Sequence, residues 1–328
     1  MPRQARLDAP GSLHHIMVRG IEGCNIFQDE GDRKAFTDRI GLLVKETETH
    51  ILAWALMDNH IHLLIISGPC GLSTFMRRLL TGYSIGFNRR HRRFGHLFQN
   101  RYKSIICDLD PYLLELVRYI HLNPIRAGLT RSLEELENYP WCGHGVLIGQ
   151  QANEWQERDF ILEFLGSKRK KAIRAYREFV EAGMVLGQRP ELTGGGLIRS
   201  LGGWSKVVSL RKKGESEASD ERILGGGEFV QAILREADQK LVRQIKAKKI
   251  AGEMSKILKE KCHEAGVKEA ELRSGSQRRT VTELRRELCY YLYRDLGIPM
   301  AEIARHVGVG TTGVAMAIKR MEGAFNSE

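Results

Sequence analysis

The stretch that most constrains the fold is 51–67, ILAWALMDNHIHLLIIS. Two short, apolar, β-rich runs meet at a turn-like Asp58-Asn59, which spells a hairpin. Side chains alternate across a strand, so His60 and His62 face one way and Ile61 the other. Two imidazoles on one strand face can share a divalent cation. Spacing alone does not choose that reading over two surface or hydrogen-bonded core histidines.

The flanking segments extend the sheet. HHIMVRGI (14–21) begins with alternating character and reads as a strand, and KSIICDL (103–109) reads as another. Phe36, Ile40, Leu43 and Val44 recur at helical spacing within 29–49, and 71–90 also reads as a helix. Asp110-Pro111 opens a further helix, with Asp110 as cap and Pro111 where only an unpaired N–H is lost. Leu113, Leu116, Val117 and Ile120 form its apolar stripe, and Pro124 ends it. The order β-α-β-β-α-β-α predicts an α+β fold with one antiparallel sheet and helices on one face.

The chain has 328 residues and a net charge of +11, with a pI near 9.4. Such a length fits two or three domains, and the basic balance points to a polyanionic partner. Six scattered cysteines without a C-x-x-C pair read as free thiols of a reducing cytosol rather than disulfides or a zinc site. No apolar run approaches the roughly 20 residues of a membrane span. The opening MPRQARLDAPGS has no apolar core of a secretory signal. A cytoplasmic protein without a membrane partner is expected.

Between residues 77 and 103 stand Arg77, Arg78, Arg89, Arg90, Arg92, Arg93, Arg101 and Lys103, with no acidic residue among them. Tyr83, Phe87, Phe94, Phe98 and Tyr102 interleave with these cations. Positive charge follows a phosphate backbone and aromatic rings stack on unpaired bases, so the segment is a candidate path for a single strand. A solvated basic helix face is the plainer alternative.

Glu115, Tyr119 and Asn123 lie at i, i+4 and i+8, on a face distinct from the apolar stripe. A tyrosine there can attack a phosphodiester if a metal or base assists it. A cation on His60 and His62 would neutralise the developing charge, and the Asn123 amide oxygen could complete its coordination. Imidazole plus oxygen with open positions suits Mg²⁺ or Mn²⁺. On these residues alone, Tyr119 is equally well a partly buried tyrosine hydrogen-bonded at a helix end.

Past residue 155 the pattern turns helical, at 157–165, 167–184 and 228–250. The glycine-rich LTGGGL and LGGW follow, and then 211–227, charged and glycine-rich, which reads as a linker or mobile loop. Thr280 to Glu283 fits a capping box. MAEIARHVG and TTGVAMAIKRM are two short helices around a Gly-containing turn, the pattern of a helix-turn-helix. Val307, Val314 and Ile318 fill its seam, with Ala304 at the close approach. Thr311, Thr312, Lys319 and Arg320 remain for phosphates and base edges of duplex DNA. A helical hairpin packed on its own domain is the alternative.

Three motifs in order, MDNHIHLLI, FGHLFQNRYKS and YLLELVRYIHLNPIRAGL, resemble the single-tyrosine HUH transposases of small insertion sequences. The REP-associated tyrosine transposases are the most similar branch. The resemblance covers about residues 8–150 and implies a ferredoxin-like, RRM-like fold. It implies His60, His62 and Asn123 as metal-binding side chains and Tyr119 as nucleophile. It further implies cleavage and rejoining of single-stranded DNA beside a hairpin of palindromic repeats, through a 5′-phosphotyrosine, in a bacterial, nucleoid-associated monomer or homodimer. Asp58 stands where relatives often carry Pro, at a turn position. The end of the chain resembles, more weakly, the helix-turn-helix of the bacterial replication initiator. The expected division is 1–150 for the transposase domain, 151–227 for a helical connector with linker, and 228–328 for a helical DNA-binding domain with its helix-turn-helix at about 280–322. Two other readings are a domesticated DNA-binding regulator that does not cleave, and an RNA-processing protein on the same kind of sheet.

Overall fold

The hairpin forms β2 (His50–Leu56) and β3 (His60–Ile66). In the computed structural model, which describes residues 7–8, 10–187, 189, 192 and 220–325 without the side chains of 240–253, 255 and 322–325, they join β1 (Leu13–Arg19), β4 (Lys103–Cys107) and β5 (Ile223–Leu224). The sheet order is β2-β3-β1-β4-β5. The first four strands are antiparallel, as expected, while β5 runs parallel to β4. This last strand falls within 211–227, the stretch read as linker. It is held because the Ile106 and Asp108 N–H groups donate to the Arg222 and Leu224 carbonyls. The two glycine-rich runs and most of the charged stretch, 193–219, lie outside the described residues.

The fold is α+β, but helices cover both faces of the sheet rather than one. Helices α1 (Glu30–Thr47) and α2 (Leu72–Arg90) pack on the face that carries Ile16, Val18, Trp54, Ile61, Leu63 and Ile65. Helix α3 (Leu109–His121) packs on the opposite face, over Leu13, Leu52, Ala55, Leu64 and Ile105. The reason is in the strand sequences. A strand buried on both sides reads as a nearly continuous apolar run, and HIHLLII is one.

After α3 come α4 (Asn123–Arg126), α5 (Leu133–Asn138), α6 (His144–Ile148), α7 (Arg158–Glu163) and α8 (Arg169–Ala182). Leu136, Leu147, Ile161, Ala172, Tyr176 and Val180 from these helices join the core under α3. Residues 158–182 therefore belong to the core that the sheet builds.

Two helix starts differ from the sequence pattern. Helix α3 begins at Leu109 with Asp108 ahead of it, because the chain leaves β4 straight into the helix. Pro111 still sits in the first turn, where N–H groups have no intrahelical acceptor. The capping box expected at Thr280 is not made, since α11 (Arg279–Arg294) already begins at Arg279.

The chain divides into two units, Met1–Ala237 and Asp238–Glu328. Helix α9 (Gly227–Glu264) starts in the first, where Val230 packs with Leu7, Ile106 and Ile223. It extends well beyond the expected 228–250. The second unit contains α10 (Glu269–Arg273), α11, α12 (Met300–Val307) and α13 (Thr311–Phe325). Leu284, Leu288, Leu292, Ile303, Val307, Val314 and Ile318 form its core. Gly308 turns the chain from α12 towards α13 at a φ of 72°, and a Cβ there would stand 2.1 Å from the Arg273 carbonyl oxygen. Buried Arg285 donates to the carbonyls of Val307, Ser276 and Leu272. Among the described residues, no helix is long and apolar enough to cross a membrane.

Candidate active site

The site begins on β3. His62 stands opposite Met17 of β1, and His60 opposite Arg19. Both histidines lie on the sheet face that α3 covers, alternating with Ile61 and Leu63 in the other core. His15 of β1 pairs with Leu64, which makes it the diagonal neighbour of His62. Its Nε2 lies 3.0 Å from His62 Nδ1, and the two rings stack with centroids 5.2 Å apart.

Helix α3 brings Tyr119 to this cluster. Its ring lies edge-on to His62 and to His15, at 5.8 Å from each. The helix ends two residues later, so the Tyr119 carbonyl has no full set of helical donors. Asn123 Nδ2 donates to it at 3.1 Å, and Arg126 at 3.2 Å. The Arg126 guanidinium also lies over the Tyr119 ring, 5.1 Å from its centre. Glu115, one turn earlier, is held by Arg118 and Arg189.

Electrostatics keep the imidazoles neutral. Burial holds His62 well below the ordinary histidine value, helped by His15, His60 and Arg126. Burial also lowers His15 to about 4. His60 is shifted down by burial and by Arg19. Neutral imidazole is the form that binds a cation. Asn123 uses its amide nitrogen on Tyr119, which leaves the oxygen as a donor of the kind a hard cation takes. Imidazole nitrogen and amide oxygen are donor types that Mg²⁺ and Mn²⁺ accept.

His60 and His62 line a cavity of about 480 Å³ together with Arg19, Asn59, Asn100, Arg101 and Lys103. Residues 99–102 also border a larger trough along α2, of about 780 Å³, with Arg77, Thr81, Ser84 and Asn88 on its wall.

The basic segment separates into two groups. Arg77, Arg89, Arg92 and Arg101 are exposed. Arg78 pairs with Glu46, and Arg90 with Asp29 and Asp32. Arg93 bonds Asn88 and the His96 carbonyl. The interleaved aromatics separate as well. Tyr83 and Phe87 are core residues at 4% and 3% exposure, so they stack on no base, whereas Phe94 is 93% exposed. In the second unit, Thr311, Thr312, Lys319 and Arg320 are exposed on α13.

A second group of possible metal ligands, Asp29, Asp32 and His91, lies at the start of α1. Arg90 already sits against both carboxylates, and its hydrogen bonds help hold Asp29 down at about 2. Asp29 also accepts from the Asp32 N–H as the cap of α1. This cluster joins α1 to the end of α2.

Residues that the sequence did not single out complete the first site: His15, Arg19, Asn59 and Arg126. Adjacent His14-His15 in an alternating strand, and Arg126 one turn past Asn123, were the available signals.

Residues 11–123 match the profile of the family described as IS200-like transposase. The match runs from just before β1 to Asn123 and includes His60, His62 and Tyr119. The match spans about a third of the chain, all of it within the first unit. A solved structure of the REP-associated tyrosine transposase bound to a REP hairpin is similar at 14% identity and a TM-score of 0.38, covering 48% of this chain and 98% of that one. No curated protein matches.

Proposed function

We propose that the protein is a DNA transposase that cleaves and rejoins single strands beside a hairpin, with Tyr119 as nucleophile. The observation that supports this most is the meeting of Tyr119 with His62 and His15 at 5.8 Å, from elements far apart in sequence. Tyr119 Oη attacks a backbone phosphorus, forming a P–O bond to tyrosine while the bond to the 3′ oxygen breaks. The phenolic proton passes through solvent to the leaving 3′ oxygen, which is released as 3′-OH. Reversal with another 3′-OH rejoins strands, so bond energy is conserved and no external energy source is needed.

His60, His62 and Asn123 would hold Mg²⁺ or Mn²⁺, which polarises the phosphate when bound. Arg101 and Lys103 bring positive charge to the cavity beside the histidines, and Arg77 to the trough along α2. Exposed Thr311, Thr312, Lys319 and Arg320 would contact duplex DNA from a helix-turn-helix in α12 and α13.

The test is a labelled single-stranded hairpin incubated with the full chain and Mg²⁺ or Mn²⁺. A denaturation-resistant protein–DNA adduct is expected, and it is lost in Tyr119→Phe. An adduct that persists undiminished in that variant removes Tyr119 as nucleophile. Binding without cleavage under any metal favours the domesticated DNA-binding reading.

A further inference from the structure

We infer that His15 and Asn59 are positioning residues that fix the tautomers of His62 and His60, leaving a lone pair on Nε2 of each. Each acts through a short hydrogen-bond chain that ends on a backbone carbonyl. The inference rests on the cation-site reading above, but its first test does not require a cation.

The first chain starts at Leu192. A carbonyl oxygen only accepts, and Leu192 O lies 3.0 Å from His15 Nδ1. The proton of His15 is therefore on Nδ1. His15 is fully buried, which favours the neutral ring with a single N–H. Its Nε2 is then an acceptor, and the partner 3.0 Å away is His62 Nδ1. That nitrogen carries the His62 proton, and His62 Nε2 keeps its lone pair.

The second chain starts at Gly23. Its carbonyl accepts from Asn59 Nδ2 at 3.2 Å, which fixes the orientation of that amide. Asn59 Oδ1 then faces His60 Nδ1 at 2.7 Å. An amide oxygen only accepts, so the His60 proton is on Nδ1 and its lone pair on Nε2. Asn59 is anchored further because its own carbonyl accepts from Gly20 N–H at 2.9 Å.

The chains share no residue, yet both give the same tautomer to two imidazoles lining one cavity. Fixing the non-ligating nitrogen in this way sets ring orientation and raises ligand basicity. Neither function needs the positioning residue to touch DNA or the ion.

The test is long-range ¹H–¹⁵N spectroscopy of the metal-free full chain with labelled histidine. Signals are assigned by comparison with His60→Gln and His62→Gln. Both histidines are expected with the proton on Nδ1. A proton on Nε2 of His62 overturns the role of His15, and one on Nε2 of His60 overturns that of Asn59.

Mn²⁺ binding by the full chain, followed by electron paramagnetic resonance, supplies the second measurement. His15→Phe and Asn59→Leu should each weaken binding by about 10–100-fold. His15→Gln and Asn59→Asp retain an acceptor oxygen and should recover much of it. Binding unchanged in folded His15→Phe and Asn59→Leu overturns the inference while leaving the cation site standing. Expected tautomers without any Mn²⁺ binding leave the inference standing and remove the cation site. If His15→Phe does not fold, the wild-type spectrum and Asn59→Leu decide.

Discussion

The Arg126 guanidinium lies 5.1 Å from the centre of the Tyr119 ring and also donates to the carbonyl of the same residue. One side chain thereby fixes the ring and the end of the helix that carries it. It also places a positive charge over the ring of the residue proposed to attack phosphorus. Arg126→Ala should slow adduct formation by about 100-fold, the scale of losing one preorganised donor at a developing charge. Arg126→Lys keeps the charge but not the planar stack, and should fall between. Rates of covalent adduct formation on a labelled hairpin provide the check. An unchanged rate in Arg126→Ala assigns this arginine to the fold alone.

Buried histidines make the first unit sensitive to acid. Burial lowers His14, His15 and His144 to about 4, and His62 and His121 are also held well down. The unfolded chain takes up these protons near pH 6.5, whereas the folded chain takes up those of His14, His15 and His144 only near pH 4 and those of His62 and His121 well below the ordinary histidine range. Between those values the unfolded state binds more protons, so stability falls as pH falls. Each such group contributes a slope of up to about 1.4 kcal/mol per pH unit. Thermal unfolding of the metal-free protein should show a midpoint that drops steadily from pH 7 to pH 5. A flat profile over that range contradicts the buried, neutral histidines.

Salt should distinguish the two groups of arginines. Binding of a single strand loses a log–log slope of about 0.7 for each phosphate contact removed. Arg101→Ala and Arg77→Ala should each weaken hairpin binding and reduce the slope by about that amount. Arg90→Ala should leave the slope unchanged and lower the melting temperature, because Arg90 is engaged with Asp29 and Asp32. Fluorescence anisotropy across a salt series measures all three. Equal slope changes in Arg90→Ala and Arg101→Ala would show that the ion pairs open for DNA.

The second unit has its own points of weakness. Arg285→Met removes three hydrogen bonds to carbonyls and should cost about 3 kcal/mol. Gly308→Ala forces a side chain into left-handed backbone and against the Arg273 carbonyl. Calorimetry should show the transition of this unit at lower temperature in both variants, with duplex affinity falling alongside. A transition unmoved in Gly308→Ala would mean that the turn can relax.

Much of the first unit was legible because its strands and helices carry strong periodicity. The hairpin, β1, β4 and the first two helices lie close to where the patterns place them, and α3 differs at its start. What local patterns did not show is which layer lies on which face. Ile61, Leu63 and Ile65 point to one core and Leu64 to the other, a pairing that strand alternation alone leaves without labels. His15 was missed for a similar reason: its importance comes from a diagonal across two strands and from Leu192, far along the chain. The basic segment misled where charge drew attention away from spacing. Tyr83 and Phe87 continue the buried stripe of Phe75, Met76, Leu79 and Leu80 on α2, and helical periodicity assigns them to the core.

The strand that carries His15 is the first in chain order among the described residues, yet it lies third in the sheet order, with a partner strand on each side. First strands placed at a sheet edge fray easily, and a residue on one shares that looseness. Here the residues from Leu13 to Met17 open to water only if the ladders to β3 and β4 both separate. Backbone amides of this segment should therefore exchange with solvent among the slowest in the first unit. The imidazole of His15 should thus be mounted on one of the slowest-exchanging segments of the first unit, while the DNA strand proposed to be cut beside it must remain free to come and go.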